Sequence, residues 1–175
     1  EHKPGAHVVA QLKEADLSAI DEVISAADNF ISMVTVAPEI PGGLELIRYL
    51  VKKNIISAIG HTNATYAQAV AGIKAGAKST THLFNAMSAL SHRDPGAVGA
   101  ILDSDEIFAE LILDGIHIDE AIFRIALKSK GIDRINLITD ATSLAGFPDG
   151  DYGSLPDRAV TKTGGKIVVA GTNTL

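Results

Sequence analysis

Five short apolar runs that each end on a polar residue recur along this chain, three of them followed by a helical pattern, and that alternation limits its folds more than any other feature. The run SMVTVA at residues 32–37 ends at Pro38-Glu39, and Leu44, Ile47, Leu50 and Val51 follow at helical spacing. IISAI at 55–59 ends at Gly60-His61. Thr65-x-x-Gln68 then has the form of a capping box, for a helix carrying Tyr66, Ala69, Val70 and Ile73 on one face and stopping at Gly76. Residues 79–81 lead into His82, and FAELIL at 108–113 leads into Asp114-Gly115-Ile116-His117. A helix is expected over Glu120–Lys130 with Gly131 as its stop, and INLIT at 135–139 delivers Asp140. Leu17, Ile20, Val23, Ile24 and Ala27 mark a further helix ahead of the first strand.

Strand–helix alternation predicts a parallel sheet with helices packed outside it. The polar residues gather at the C-terminal ends of the strands, where a (β/α)8 barrel builds its active site. An open doubly wound sheet places its ligands at the same ends. A complete barrel takes about 250 residues, and this chain has 175. The expectation is therefore an incomplete barrel, lacking its first strands and its C-terminal part. Residues 1–175 are read as part of one domain, starting at Glu1 without methionine and stopping at Leu175 in mid-pattern. Residues 144–157 look like a loop. Thr163-Gly164-Gly165 then sits between two short strands as a hairpin excursion around 157–171.

Composition narrows the partners. A net charge of −6 with no basic run argues against nucleic acid and against an anionic membrane surface. No uninterrupted apolar window of about 18 residues predicts a spanning helix. The absence of cysteine fits a reducing compartment such as the cytoplasm and rules out thiolate metal sites.

His61 and His82 end successive strands, so their imidazoles can share one divalent cation. Either alone would serve equally as a hydrogen-bonded histidine at a sheet edge. Asp140 can act as base and then acid for an activated water, or as a helix N-cap. Arg93 can clamp an anion or, with His92, belong to a solvated loop. His117 reads as a loop histidine unless a ligand engages it, and His2 and His7 lie near the chain start.

In order and spacing, GHTNAT (60–65), THLFNAM (81–87), HRDPG (92–96), DGIH (114–117) and TDA (139–141) resemble the motifs of the N-acetylglucosamine-6-phosphate deacetylases, a family of the amidohydrolase superfamily. The resemblance implies a (β/α)8 barrel and hydrolysis of an acetamide in amino-sugar catabolism. It implies that His61 and His82 ligate a divalent metal, zinc first, with iron, cobalt or manganese as alternatives. Asp140 would activate the water and protonate the leaving amine. Asn85, Ala86, Arg93 and His117 would hold the sugar phosphate, the arginine reaching across a homodimer interface. Ala6 and His7, in Pro4-Gly5-Ala6-His7, would contact the substrate near the scissile amide. Glu39, in Ala-Pro-Glu, matches a family motif without a catalytic role. The family's glutamate ligand is expected just before residue 1, and Leu175 would open its Leu-Ala-Gly-Ser segment. Two other readings compete: an amidohydrolase acting as a cyclic amidase or deaminase, and a metal-free sugar-phosphate-binding remnant.

Overall fold

The computed structural model describes residues 3–153, 159–172 and 174. Glu1, His2 and Leu175, and residues 154–157 of the expected loop, lie outside the described residues.

Five parallel strands run in chain order: β1 (Met33–Val36), β2 (Ile56–Ile59), β3 (Ser79–Thr80), β4 (Ala109–Ile112) and β5 (Ile135–Ile138). β1, β2 and β3 form one sheet and β4 and β5 another. The two sheets meet at a parallel bridge between Ser79 and Phe108, where the Thr80 N–H donates to the Phe108 carbonyl (3.0 Å) and the Phe108 N–H to the Lys78 carbonyl (2.9 Å). Each strand thus neighbours its predecessor, without the order reversal that defines a doubly wound sheet. The ring is not closed among the described residues, since β1 and β5 do not pair with each other.

The helices follow the strands: α1 (Leu17–Ala26) before β1, α2 (Gly43–Lys52) after it, then α3 (Tyr66–Ala75), α4 (Gly96–Asp103) and α5 (Glu120–Lys130). The capping box predicted at Thr65 and Gln68 is present, with Gly76 at φ +115° closing α3. Asp16 caps α1 and Asp119 caps α5, each accepting backbone N–H bonds. Helix α4 has no counterpart in the sequence-based reading. Its sequence, GAVGAILD, is buried from Gly96 to Ile101, so it lacks the polar face that makes helical periodicity visible. No described helix is long and apolar enough to cross a membrane.

The main core lies between strands and helices, built from Ile47, Leu50, Ile59, Leu83, Ile101 and Leu111, all fully or almost fully buried. Burying each such side chain contributes about 1.5–3 kcal/mol. Lys130, on α5, is also buried, and its ammonium donates to the Ile101 carbonyl (3.0 Å) and to that of Ser104. It thereby satisfies the open carbonyl end of α4, while burial pulls its pKa below the ordinary lysine value.

Beyond Asp140 the chain leaves the parallel pattern. Val160–Thr163 (β7) and Lys166–Val169 (β8) pair antiparallel across Gly164-Gly165, both at positive φ. A third strand, Gly150–Tyr152 (β6), pairs with β7 inside the span read as loop. Gly-Asp-Tyr carries no apolar alternation, so its pairing had no signal in the sequence.

Gly72 tests how closely helix and strand ends approach. In an exposed helix, Gly→Ala is worth about 1 kcal/mol of stabilisation. A Cβ here would lie 2.9 Å from Pro38 Cβ and 3.1 Å from Ile59 Cδ1. Ile59 can turn aside but the proline ring cannot, and overpacking costs about 1–3 kcal/mol. Gly72→Ala in the full-length protein is expected to lower stability by about 1 kcal/mol in urea denaturation; a gain would show that the contact yields.

Candidate metal-binding site

The site begins where β2 and β3 stop. Gly60 continues β2, and a Cβ there would meet Thr81 Cβ at 2.7 Å and Thr35 Cγ2 at 2.9 Å. Only glycine lets the two threonine hydroxyls meet over it, at 2.7 Å. The next residue, His61, turns into the left-handed region at φ +47°, and His82 does the same at +34° beyond β3. Phe84 (+80°), Ala86 (+49°) and Asp140 (+48°) share that conformation. It costs a non-glycine residue about 1–3 kcal/mol and persists only where the surroundings enforce it. Such concentration at the strand ends is a mark of a functional site.

The turns bring the two imidazoles together. His61 Nε2 and His82 Nε2 lie 3.1 Å apart, with ring centroids 4.8 Å apart and planes at 74°. The protons can be assigned in part. His61 Nδ1 lies 3.0 Å from the Lys3 carbonyl, which can only accept, so Nδ1 carries the hydrogen and Nε2 offers a lone pair. Metal-ligating histidines use this arrangement, committing one ring N–H to a carbonyl. His82 is 6% exposed, and its Nδ1 is buried without a partner among the described residues.

The distance suits a shared cation. Two nitrogens each about 2.0–2.1 Å from a tetrahedral zinc lie roughly 3.3 Å apart. The His82 Nε2–H can otherwise donate to His61, which leaves its own buried Nδ1 an unpaired acceptor. Among the described residues no group of three or more His, Asp or Glu converges to hold a metal. The histidines are therefore a fitting but incomplete ligand set.

The segment at residues 3–7 folds over this pair. His7 stacks edge-on against His61, with centroids 4.7 Å apart, and its Nδ1–H donates to the Pro4 carbonyl at 2.9 Å. A Cβ on Gly5 would lie 3.2 Å from His61 Cε1 and 3.7 Å from Ala86 Cβ, so Ala86 also borders this cover. A cleft of about 350 Å³ opens beside it, lined by Lys3, His7, Thr35, Ile40, Gly60 and His61. Ala6 is exposed next to His7.

Two carboxylates that sequence reasoning did not assign support the histidine turns. Glu39, beyond β1, accepts from Thr62 Oγ1–H (2.5 Å) and from the Asn63 N–H (2.7 Å). Glu110, in β4, is 7% exposed; its backbone carbonyl accepts from the Leu83 N–H at 2.8 Å, and its carboxyl lies near the His82 N–H. A lone Glu inside FAELIL was the available signal. Burial pushes the Glu110 carboxyl above the ordinary range; the His82 N–H opposes this and the Asp140 charge adds to it. His61 is held below the ordinary histidine value, first by burial and then by His82, against the Lys3 carbonyl and Asp140.

Asp140 therefore lies within electrostatic reach of both His61 and Glu110, although no hydrogen bond joins it to either histidine among the described residues. No helix starts at Asp140, which removes the helix-cap alternative. Asn85 sits in the His82 turn, its side-chain amide donating to the His82 and Leu83 carbonyls at 3.4 and 3.5 Å. Arg93 and His92 are exposed in the loop closed by the Ser91 N–H to Asp94 carbonyl bond of 2.9 Å, apart from the histidines. The His117 Nδ1–H donates to Asp114 Oδ2 at 2.6 Å. Burial pushes the Asp114 carboxyl up, but the N–H groups of His117 and Ile116 and the His117 ring hold it below the ordinary range.

No family model matches the chain. It is 41% identical over 152 residues to the N-acetylglucosamine-6-phosphate deacetylase of Vibrio furnissii, covering 87% of this chain and 38% of that protein. It is 37% identical over 166 residues to the N-acetylgalactosamine-6-phosphate deacetylase of Escherichia coli O157:H7, covering 95% and 44% respectively. In structure it is similar to a mutant of the N-acetyl-D-glucosamine-6-phosphate deacetylase of Mycobacterium smegmatis, solved in complex with N-acetyl-D-glucosamine-6-phosphate. That match has a TM-score of 0.95 and 39% identity, and covers 99% of this chain and 45% of the other. The chain spans about two fifths of the length of the curated relatives it matches.

The proton assignment at His61 can be checked directly. In long-range 1H–15N NMR of the chelator-treated full-length protein near neutral pH, His61 should show a protonated Nδ1 and an unprotonated Nε2. A protonated Nε2 would contradict the Lys3 contact.

Proposed function

We propose that this chain is the part of an N-acetylglucosamine-6-phosphate deacetylase that carries two metal-ligating histidines, the acid–base carboxylate and much of the substrate shell. One observation carries the reading: the 3.1 Å approach of His61 Nε2 and His82 Nε2 at the ends of adjacent strands, in a chain similar to a deacetylase solved with its sugar phosphate. The five consecutive parallel strands support an arc of a (β/α)8 barrel, with residues 1–175 in one domain and β6–β8 as an excursion from it.

His61 and His82 would hold a divalent cation, zinc being the first choice for an all-imidazole pair, together with a carboxylate from outside this chain. When bound, such a cation lowers the pKa of water towards about 7 and polarises an acyl carbonyl. The remaining work belongs to side chains. Asp140 accepts a proton from the attacking water as the new C–O bond forms at the acetyl carbon. It returns that proton to the amide nitrogen as the C–N bond breaks, releasing acetate and the amino-sugar phosphate. Ala6 and His7, the latter stacked on His61, would contact the substrate near the scissile amide. With its Nδ1–H committed to Pro4, His7 would donate to the developing oxyanion through Nε2 only as the imidazolium. Asn85 and Ala86, in the His82 turn, and His117 would engage the sugar phosphate. Arg93, exposed and away from the histidines, would reach it from the second subunit of a homodimer. Binding the remote phosphate would orient the amide for attack. A cysteine-free enzyme of this kind suits the cytoplasm.

The test is acetate release by the full-length protein from N-acetylglucosamine 6-phosphate, beside the unphosphorylated sugar and a cyclic amide. Asp140→Asn should lower kcat about 10²- to 10⁴-fold while binding of the sugar phosphate survives. Loss of binding together with turnover would remove Asp140 from the acid–base role. Arg93→Ala should raise KM for the phosphorylated sugar and leave the unphosphorylated one nearly unchanged. Equal effects on both would take Arg93 out of the phosphate site.

A further inference from the structure

The residue that holds His61 in place lies in the turn after the neighbouring strand, β1. His61 is in a left-handed conformation that an imidazole-bearing residue adopts only under constraint. Two constraints precede it, the Gly60 contact with Thr35 and Thr81 and the long Gly60 N–H bond to the Val36 carbonyl of β1 (3.4 Å), and the Lys3 carbonyl holds its ring. The others follow it. The Thr62 N–H donates to the Ala86 carbonyl, and the Ser88 N–H donates to the Thr62 carbonyl, both at 3.0 Å. These bonds join the His61 turn to the His82 turn. Neither fixes it against β1.

That connection is made by Glu39. Both carboxylate oxygens are engaged, Oε2 by the Thr62 hydroxyl at 2.5 Å and Oε1 by the Asn63 N–H at 2.7 Å. Thr62 is fully buried, and its Oγ1 accepts from the Ala64 N–H at 3.0 Å, so its hydroxyl hydrogen is directed to the carboxylate. Glu39 itself follows buried Pro38, whose ring packs against Gly72 of α3. Its backbone is thus held by a rigid residue and a close helix contact. Bonds to an ionised carboxylate are shorter and stronger than neutral ones, and two from one group also set orientation.

We infer that Glu39 is a positioning residue for the cation site: its clamp on Thr62 and Asn63 holds His61 Nε2 at the spacing from His82 that a shared cation requires. Glu39 touches neither imidazole and is not catalytic. This inference rests on the deacetylase reading for the cation and goes beyond it in naming what maintains the ligand geometry. Partners one step from the ligands commonly change metal affinity by about 10- to 100-fold.

The test uses full-length protein loaded with Co2+, whose visible absorption reports ligand geometry. Glu39→Gln keeps the shape of the side chain but has one acceptor oxygen for two donors. It should raise the apparent Kd for Co2+ about tenfold or more and shift the Co2+ absorption band. It should also lower kcat more than it raises KM. Thr62→Val removes one of the two bonds and should show a smaller change in the same direction. A Glu39→Gln variant that is folded by circular dichroism and keeps wild-type affinity and absorption overturns the inference. If that variant does not fold, Thr62→Val decides: unaltered Co2+ binding overturns the inference, and weakened binding with a shifted band supports it. The underlying reading has its own control in His61→Ala. If wild type takes up no Co2+, or His61→Ala binds it as well as wild type, the cation reading fails and this inference falls with it.

Discussion

Everything in the site depends on two strands ending in a conformation their terminal residues would not choose. At His61 and His82 the backbone passes into the left-handed region, and the two Nε2 atoms then meet at 3.1 Å. The strain is offset by hydrogen bonds from both flanking strands. Glu39 beyond β1 holds the residues after His61, and the Glu110 backbone carbonyl of β4 accepts from the Leu83 N–H just after His82, at 2.8 Å. Carboxylates suit this work because each accepts several N–H or O–H bonds at once.

The parallel order of β1 to β5 makes this possible. In such a sheet the C-terminal ends of consecutive strands lie side by side, and a residue at each end faces the same space. Helices on the outer side bury the apolar surface, with α4 buried from Gly96 to Ile101. The segment at residues 3–7 covers His61, setting its tautomer through Lys3 and bringing His7 edge-on to it. Covering of this kind removes water from the imidazoles, in agreement with the lowered His61 pKa.

Much of this was legible from residue order. Strand–helix alternation announced the parallel architecture, and the break of each apolar run at His61, His82 or Asp140 announced the site. The capping box at Thr65 and the glycine stop at Gly76 could be read because their chemistry is local. Other features depend on tertiary context. Helix α4 shows no periodicity because all its faces are buried. β6 pairs through its backbone, which Gly-Asp-Tyr does not advertise. Glu39 was visible as Ala-Pro-Glu, but its partners are more than twenty residues away, at separations of 23 and 24. Arg93 is exposed and His117 is bonded to Asp114, and their assignment came from motif resemblance, not from local chemistry.

The measurement that bears most directly on this account is anomalous diffraction from crystals of the full-length protein grown with zinc, recorded on both sides of the zinc edge. One anomalous peak should lie about 2.0–2.1 Å from Nε2 of both His61 and His82, with Asp140 facing it. A peak bound to only one of these histidines, or the two rings hydrogen-bonded to each other with no ion between them, would contradict it.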